Sequence, residues 1–300
     1  MTRLPEPDAP VNAEEYLASV PPALEVPDAM TKIRERVIAS GRRVVVLDDE
    51  PTDTKYVRDL PVPTGLSYSE LRRTLEQPNP VVYVPTRSRG LDAPDAAILY
   101  RTIGRRLRRA ASDSGARFVV VSRGDPNLRG HYAAETDALE RELGENVDGI
   151  ILCPCSFDDG HVTVDDVQLV RQGEELVPVA LKGFAPDATF GYSSSHLPDW
   201  VEEKTGGRVS ADRVSSIGLQ DIREGGPGRV AGLLGEARDA GTIVVNAVCR
   251  ADLEVFVLGL LDAEAAGKTF LCRTGPSFVR VRGGIPEEGP ETVEDPEGGR

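Results

Sequence analysis

The stretch Phe118-Val-Val-Val-Ser-Arg-Gly-Asp-Pro-Asn-Leu-Arg-Gly-His131 decides how this chain is read. An apolar run, Phe118 to Val121, stops abruptly in a loop that carries Arg123, Asp125, Asn127 and Arg129 and closes on Gly130. Ala133 to Leu143 then follows a helical pattern. A strand emptying into a charged, glycine-containing loop and then a helix is where open α/β sheets place ligand sites. Two guanidiniums flanking one carboxylate suit an anionic, hydroxyl-rich ligand. Arginine grips a carboxylate or phosphate at two points, and aspartate accepts from a hydroxyl. The same residues also describe an ordinary salt-bridged surface loop, so this stretch alone leaves both readings open.

The unit recurs along the chain. Apolar runs of strand length lie at Val44–Leu47, Val81–Val84, Phe118–Val121, Gly149–Cys153, Thr242–Val248 and Thr269–Cys272. Helical patterns fall between several of them, at Ser69–Gln77, Ala96–Ser112, Ala133–Leu143 and Val230–Ala240. Continuous apolar strands alternating with amphipathic helices predict a three-layer α/β domain, a largely parallel sheet with helices on both faces. Residues 158–229 break this rhythm with shorter pieces, His161–Val164 and Leu176–Ala180, and are expected to form a smaller inserted β-containing subdomain. Residues 1–40 read as an N-terminal helical extension. Asn12 and Glu15 resemble a capping box, and Ala29 to Ser40 forms a helix ended by Gly41. Residues 41–284 make the main domain. Residues 285–300, acidic and rich in Gly and Pro, are expected to be disordered.

Composition bounds the function. Three hundred residues with 40% hydrophobic and 28% charged character supply an ample core. A net charge of −14 argues against a nucleic-acid binder, although a local arginine cluster still sets the field within a cleft. No run approaches a membrane span and the N-terminus has no apolar signal core, so the expected location is the cytoplasm. Four cysteines lie in or beside apolar runs and act as small hydrophobes. Cys153-Pro-Cys155 has no second Cys/His pair at zinc spacing, and no metal site is assigned. Gly267-Lys268-Thr269 resembles the end of a phosphate-binding loop, but Asp262 stands where that loop needs glycine. Gly267 reads more simply as a helix C-cap. His131, His161 and His196 are dispersed, and only His131 lies in a candidate loop.

In a parallel sheet every strand points its carboxyl end at the same rim, so the loops after the strands converge. Asp48-Asp49-Glu50 follows the first run, Arg87-Ser88-Arg89 the second, the Arg123/Asp125/Arg129 loop the third, and Pro154-Cys155-Ser156 the fourth. Three acidic residues and four arginines meeting at one edge point to a polar ligand there.

The loops, in this order, resemble those of the four-carbon acid sugar kinase family from about Val44 to Gly284. The matching stretches are Asp49-Glu50-Pro51-Thr52-Asp53, Thr86-Arg87-Ser88-Arg89, Arg123 to Gly130, Pro154-Cys155-Ser156-Phe157 and Arg273-Thr274-Gly275-Pro276-Ser277. Val57–Val62 and Asp187–Tyr192 also have a similar form in one branch. The resemblance implies phosphoryl transfer from ATP, with Mg²⁺, to a hydroxyl of a four-carbon sugar acid. In that family the N-terminal domain binds the acid and a C-terminal domain the nucleotide. Carried over, it makes Asp125 or Asp49 the catalytic acceptor of the hydroxyl proton. Glu50, Thr52, Arg87, Ser88, Arg89, Arg123, Asn127, Arg129 and Gly130 become substrate-binding, and Ser277 touches nucleotide.

Two departures temper this. Glu50, Asp53, Pro126 and Asn127 replace residues of the family pattern. Asp53 adds a β-carbon and a negative charge where the family keeps glycine, and Pro126 removes an N–H. The chain also ends in an acidic tail where the family continues into its nucleotide domain. One expectation is therefore the sugar-acid half of a kinase, active only when complemented by a nucleotide-binding domain. The alternative is a non-catalytic relative that binds a small anion or regulates. A homo-oligomer is compatible with either.

Overall fold

A computed structural model describes residue 7 and residues 9–49, 62–63, 65–143, 147–183 and 187–286. Its centre is a sheet of seven strands, all parallel: β2 (Arg42–Asp48), β3 (Val81–Pro85), β4 (Arg117–Arg123), β5 (Gly149–Cys153), β9 (Ser215–Ile217), β10 (Gly241–Val245) and β11 (Phe270–Thr274). They lie in the order β3-β2-β4-β11-β5-β10-β9. Alternate residues of each apolar strand feed opposite faces. In β2, Val45 and Leu47 pack under α3 (Tyr68–Glu76), α4 (Ala93–Ser114) and α5 (Tyr132–Leu143), through Leu71, Leu75, Ile103, Leu107 and Leu139. Val44 and Val46 meet the other layer, α2 (Ala29–Ser40), α8 (Gly226–Gly235), α9 (Arg250–Ala265) and α10 (Pro276–Arg282), through Ile33, Val37, Val230, Phe256 and Phe278. The three-layer expectation holds.

A second sheet is small and antiparallel. It orders β1 (Val11–Asn12), β8 (Glu175–Pro178), β7 (Val167–Gln172) and β6 (His161–Val164). Asp165 and Asp166, both in the left-handed region at φ 49° and 66°, make the tight turn between β6 and β7. The short helix α1 (Ala13–Leu17) follows β1 and buries Ala13 against this sheet. Helix α6 (Leu197–Lys204) seals the join, packing Leu197, Trp200 and Val201 on Leu128, Tyr132, Leu152 and Val244.

Several boundaries differ from the sequence reading. The stretch 158–229 divides: its first part builds the small sheet, whereas β9 joins the parallel sheet as an edge and α7 (Leu219–Arg223) and α8 follow it. Residues 1–40 are integrated rather than appended. Val11 pairs with Leu176, and Ile33 is wholly buried in the main core. Helix α8 starts earlier than the apolar pattern, at Gly226-Pro227, and stops before Asp239 and Ala240, whose left-handed backbone turns the chain into β10. Helix α9 has no polar stripe to betray it, because from Ala251 to Glu264 only Asp262 is exposed. Strand β11 continues beyond Cys272, where the apolar run ends, and carries a buried Arg273. Among the described residues, no helix is long and apolar enough to cross a membrane. Residues 287–300 of the acidic tail lie outside the described residues.

Candidate functional site

The carboxyl ends of β2, β4 and β11 lie side by side at the middle of the sheet, in the register Asp48–Arg123–Thr274. Asp48 Oδ1 accepts from Arg123 Nη1 at 2.9 Å, and both side chains are buried. Arg123, expected to face a ligand, is therefore turned into the sheet end, where it neutralises the carboxylate of the adjacent strand. Asp49, one residue on, is fully buried. Its Oδ1 accepts from Arg89 Nη2 at 2.7 Å, and its Oδ2 lies 3.7 Å from Arg273 Nη2.

Arg273 is the hub of this rim, and the sequence reading did not assign it a role. Its Nη1 donates to Glu135 Oε2 at 2.5 Å and to Ser122 Oγ at 2.9 Å. The other oxygen of Glu135 accepts from Ser88 Oγ at 2.6 Å. Ser88 thus supports Glu135 from within, and Arg87 in the left-handed region at φ 55° turns the chain to place it there. Burial works against the charge on Arg273, but Glu135 and Asp49 outweigh it and raise its pKa. Burial pushes the Glu135 carboxyl up, opposed by Arg273.

The glycines of the signature loop have a steric reason. A β-carbon on Gly124 would sit 2.6 Å from Arg273 Cζ, and one on Gly130 would sit 2.8 Å from its Nη2. The loop lies flat against the guanidinium, which only glycine permits at those two points. Between them, Leu128 adopts φ 62°, and the reversal lets Arg129 pair with Asp125. Burial acts to raise the Asp125 carboxyl, but Arg129 and the nearby Arg89 charge together hold it below the usual range. Asn127 is anchored on two sides. Its Oδ1 lies 3.0 Å from His161 Nε2, and its carbonyl accepts from Tyr192 Oη at 2.8 Å. Tyr192 closes the Asp187–Tyr192 stretch, which thereby reaches the rim. Gln168 on β7 donates to the carbonyls of Pro126 and Pro154, at 3.0 and 3.1 Å.

Asp49, Arg89, Asp125 and Arg129 therefore form one connected patch with Arg273, Glu135 and Ser88 behind it. Four carboxylates (Asp48, Asp49, Asp125, Glu135) face four guanidiniums (Arg89, Arg123, Arg129, Arg273), so an anion is attracted only where a guanidinium stays accessible. Arg123 and Arg273 are 6% exposed, whereas Arg89 and Arg129 keep 13% and 28%. Arg87 is exposed beside them. His131 bonds to the Leu91 carbonyl at 2.9 Å and so holds backbone. Ser277 Oγ accepts from the Phe157 N–H at 2.9 Å, tying the β11–α10 turn to the loop after β5. Glu50, Thr52 and Asp53 lie outside the described residues, as do residues 57–61 of the Val57–Val62 stretch. Among the described residues no three His, Cys, Asp or Glu side chains group as a metal site.

The missed residues had faint signals. Arg273 interrupts an otherwise apolar strand, and Glu135 stands on the buried side of an amphipathic helix. Neither shows its partner in the sequence, because they lie 138 positions apart.

Comparison with known proteins agrees with this geometry. A family model described as a sugar-binding N-terminal domain matches residues 44–282. No curated protein matches the sequence. A structure of a domain of unknown function from Bordetella bronchiseptica, a domain-swapped dimer with bound citrate, has 22% identity and a TM-score of 0.60 over 81% of this chain. A Salmonella typhimurium protein described as a putative tRNA synthase gives 16% identity and a TM-score of 0.56 over 80%. A Haemophilus influenzae protein gives 16% identity and 0.53 over 87%. At these identities the likeness shows the fold. The chain spans 57%, 56% and 54% of those three chains. With a family model covering the parallel sheet from Val44 onward and every rim loop, this chain belongs to the sugar-binding N-terminal domain family, that of the four-carbon acid sugar kinases.

Proposed function

We propose that the chain binds a four-carbon sugar acid at this rim, as the acid-binding half of an ATP-dependent kinase. The observation that carries the reading is the pair Arg89 and Arg129. Each is a partly exposed guanidinium backed by a carboxylate, Asp49 or Asp125, on one edge of a sugar-binding domain. The substrate carboxylate lies against Arg89, Arg129 and the exposed Arg87, in the two-point manner of guanidinium recognition. Asp125, kept ionised by Arg129, accepts the proton of the attacking hydroxyl. Asp49 holds Arg89 in place. The citrate in the Bordetella structure, a small hydroxyl-bearing polycarboxylate, supports an anion of this class.

The described residues do not fit Mg²⁺, since the rim carboxylates are committed to guanidiniums. Ser277 is already bonded to backbone. ATP and Mg²⁺ belong in this proposal to a separate nucleotide-binding domain. Titrating four-carbon sugar acids into the chain, with and without Mg-ATP, tests the reading. Binding should occur in the micromolar to millimolar range, and Arg129→Ala should weaken it by about ten- to a hundredfold, as for loss of one charge-assisted hydrogen-bond pair. No binding by any four-carbon acid would remove the proposal.

A second reading, a non-catalytic small-anion binder, is favoured by Pro126 and Asn127. The hydroxyl-bearing residues of the family pattern are absent there, and Asn127 is committed to His161 and Tyr192. It predicts acid binding that a complementing nucleotide domain leaves without turnover.

A further inference from the structure

The two carboxylate oxygens of Asp125, the proposed acceptor of the hydroxyl proton, are held from different sides. Oδ2 pairs with Arg129. Oδ1 takes a long hydrogen bond, 3.5 Å, from Asn127 Nδ2. Asn127 Oδ1 in turn lies 3.0 Å from Nε2 of His161, the first residue of β6 in the small sheet. His161 is buried, at 5% exposure. A histidine 34 positions beyond Asn127 thus stands two contacts behind the proton acceptor.

The charge on Asp125 fixes every donor in this row. Burial opposes that charge, but Arg129 and Arg89 keep the carboxylate ionised, so it can only accept. Asn127 must then present its NH2 to Asp125 and its oxygen to His161. An amide oxygen only accepts, so His161 carries a proton on Nε2. The other neutral tautomer would set two acceptors, Nε2 and Asn127 Oδ1, face to face at 3.0 Å. It would also bury a proton on Nδ1, an atom with no hydrogen-bond partner in the protein. Burial lowers the His161 pKa and keeps the ring neutral, against Asp125 and Asp159 and with Lys182 assisting. The Asn127 carbonyl is held separately by Tyr192, which locates the residue from its backbone as well.

We infer that His161 is a positioning residue for the Asp125 carboxylate, acting through the side-chain amide of Asn127. The inference rests on the sugar-acid reading above, in which Asp125 receives the hydroxyl proton. It gives Asn127, a departure from the family pattern, a part in that site. The Asn127 NH2 orients one carboxylate oxygen as Arg129 orients the other, and a carboxylate held at both oxygens offers the ligand hydroxyl a fixed lone pair. Without a donor at position 161 the amide oxygen has lost its anchor, and the long contact to Asp125 lapses.

The test uses the 300-residue chain with His161→Leu or His161→Gln, the glutamine amide placing an N–H where Nε2 stood. Carbon NMR of the Asp125 carboxyl follows its titration without any ligand. In the unsubstituted chain the midpoint should lie below the ordinary carboxyl range. His161→Leu and Asn127→Ala should each raise it, and His161→Gln should restore it. Asn127→Ala, at a half-buried position, carries the comparison if the leucine variant does not fold. Nitrogen NMR near neutral pH should find the His161 proton on Nε2, and finding it on Nδ1 would overturn the inference. Calorimetric titration with the two epimeric 2,3,4-trihydroxybutanoates should show about tenfold weaker binding in His161→Leu, the effect of one lost hydrogen bond, and recovery in His161→Gln. If the acids bind and the folded variants leave the Asp125 midpoint unmoved, His161 merely packs: the inference fails and the sugar-acid reading stands. If neither acid binds the unsubstituted chain, the sugar-acid reading fails, and the ligand-free titration still decides whether His161 positions Asp125.

Discussion

Replacing Arg273 by methionine would leave Asp49 and Glu135 buried without their shared guanidinium. Breaking a buried ion pair from one side costs about 3–5 kcal/mol, and urea unfolding should show a loss of that order. Adding Glu135→Gln should recover part of it, since one stranded charge is then gone. The sign of the pH dependence follows from Glu135. Burial raises its pKa, so its contribution to stability is fully present below the ordinary carboxyl range and lost as pH rises through the folded value. Without Arg273 to oppose that shift, the penalty in Arg273→Met should shrink on acidification and grow toward neutral pH. Asp125 behaves oppositely. Its pKa is held down, so its contribution is present above the ordinary value and lost as pH falls through the folded one. Asp125→Asn should flatten that acid limb in melting curves. Both tests fail if stability is indifferent to pH in the variants and the parent alike.

At the level of elements, the small sheet acts on the rim through Gln168. Its amide donates to Pro126 and Pro154, and its Oε1 accepts from Thr163 Oγ1 at 2.7 Å. β7 is thus bolted to the ligand loop after β4 and to the loop after β5. Gln168→Leu keeps the volume but strands the two buried carbonyls and leaves Thr163 only its longer contact with Cys155 Sγ, and should cost about 2–4 kcal/mol at roughly 1 kcal/mol or more for each lost hydrogen bond. It should also weaken sugar-acid binding although Gln168 touches no ligand in the proposed pose. Unchanged affinity in a folded variant would show that the two sheets are mechanically independent. Gly275 marks a second junction, where a β-carbon would meet the Cys155 carbonyl oxygen at 2.3 Å despite an ordinary φ of −87°. Close approach of two strand ends, not backbone freedom, requires glycine there.

For the whole molecule, the last strand in sequence, β11, lies between β4 and β5 at the centre of the sheet. The site is consequently assembled from loops separated by most of the chain. Its charges balance locally, and no described carboxylate set is available for Mg²⁺. Phosphoryl transfer depends almost wholly on positioning and charge stabilisation, so the chain alone should bind ATP poorly and turn over no four-carbon acid at an appreciable rate. A low-micromolar Kd for Mg-ATP, roughly −8 kcal/mol, or steady ADP release abolished by Asp125→Ala, would contradict this. A complementing nucleotide-binding domain is expected to restore some turnover under the kinase reading.

The amino-acid sequence by itself determined the parallel α/β architecture, because strands buried on both faces must be apolar throughout and their helices amphipathic. It also placed Asp49, Arg89, Asp125 and Arg129 on one rim, since the end of a parallel strand is legible from where its apolar run stops. Local rules likewise located α2 and the capping contact of Asn12 with Glu15. Tertiary structure decided the rest. Only packing showed that Arg123 turns inward to Asp48 and that Arg273 and Glu135 hold the rim from behind. Helix α9 gave no periodic signal because protein covers it on all sides, and β9 was too short and too exposed to read as a strand of the main sheet. Periodicity reports which side of an element meets a core. It cannot report which distant charge meets another, because that pairing is set by the order of strands in the sheet.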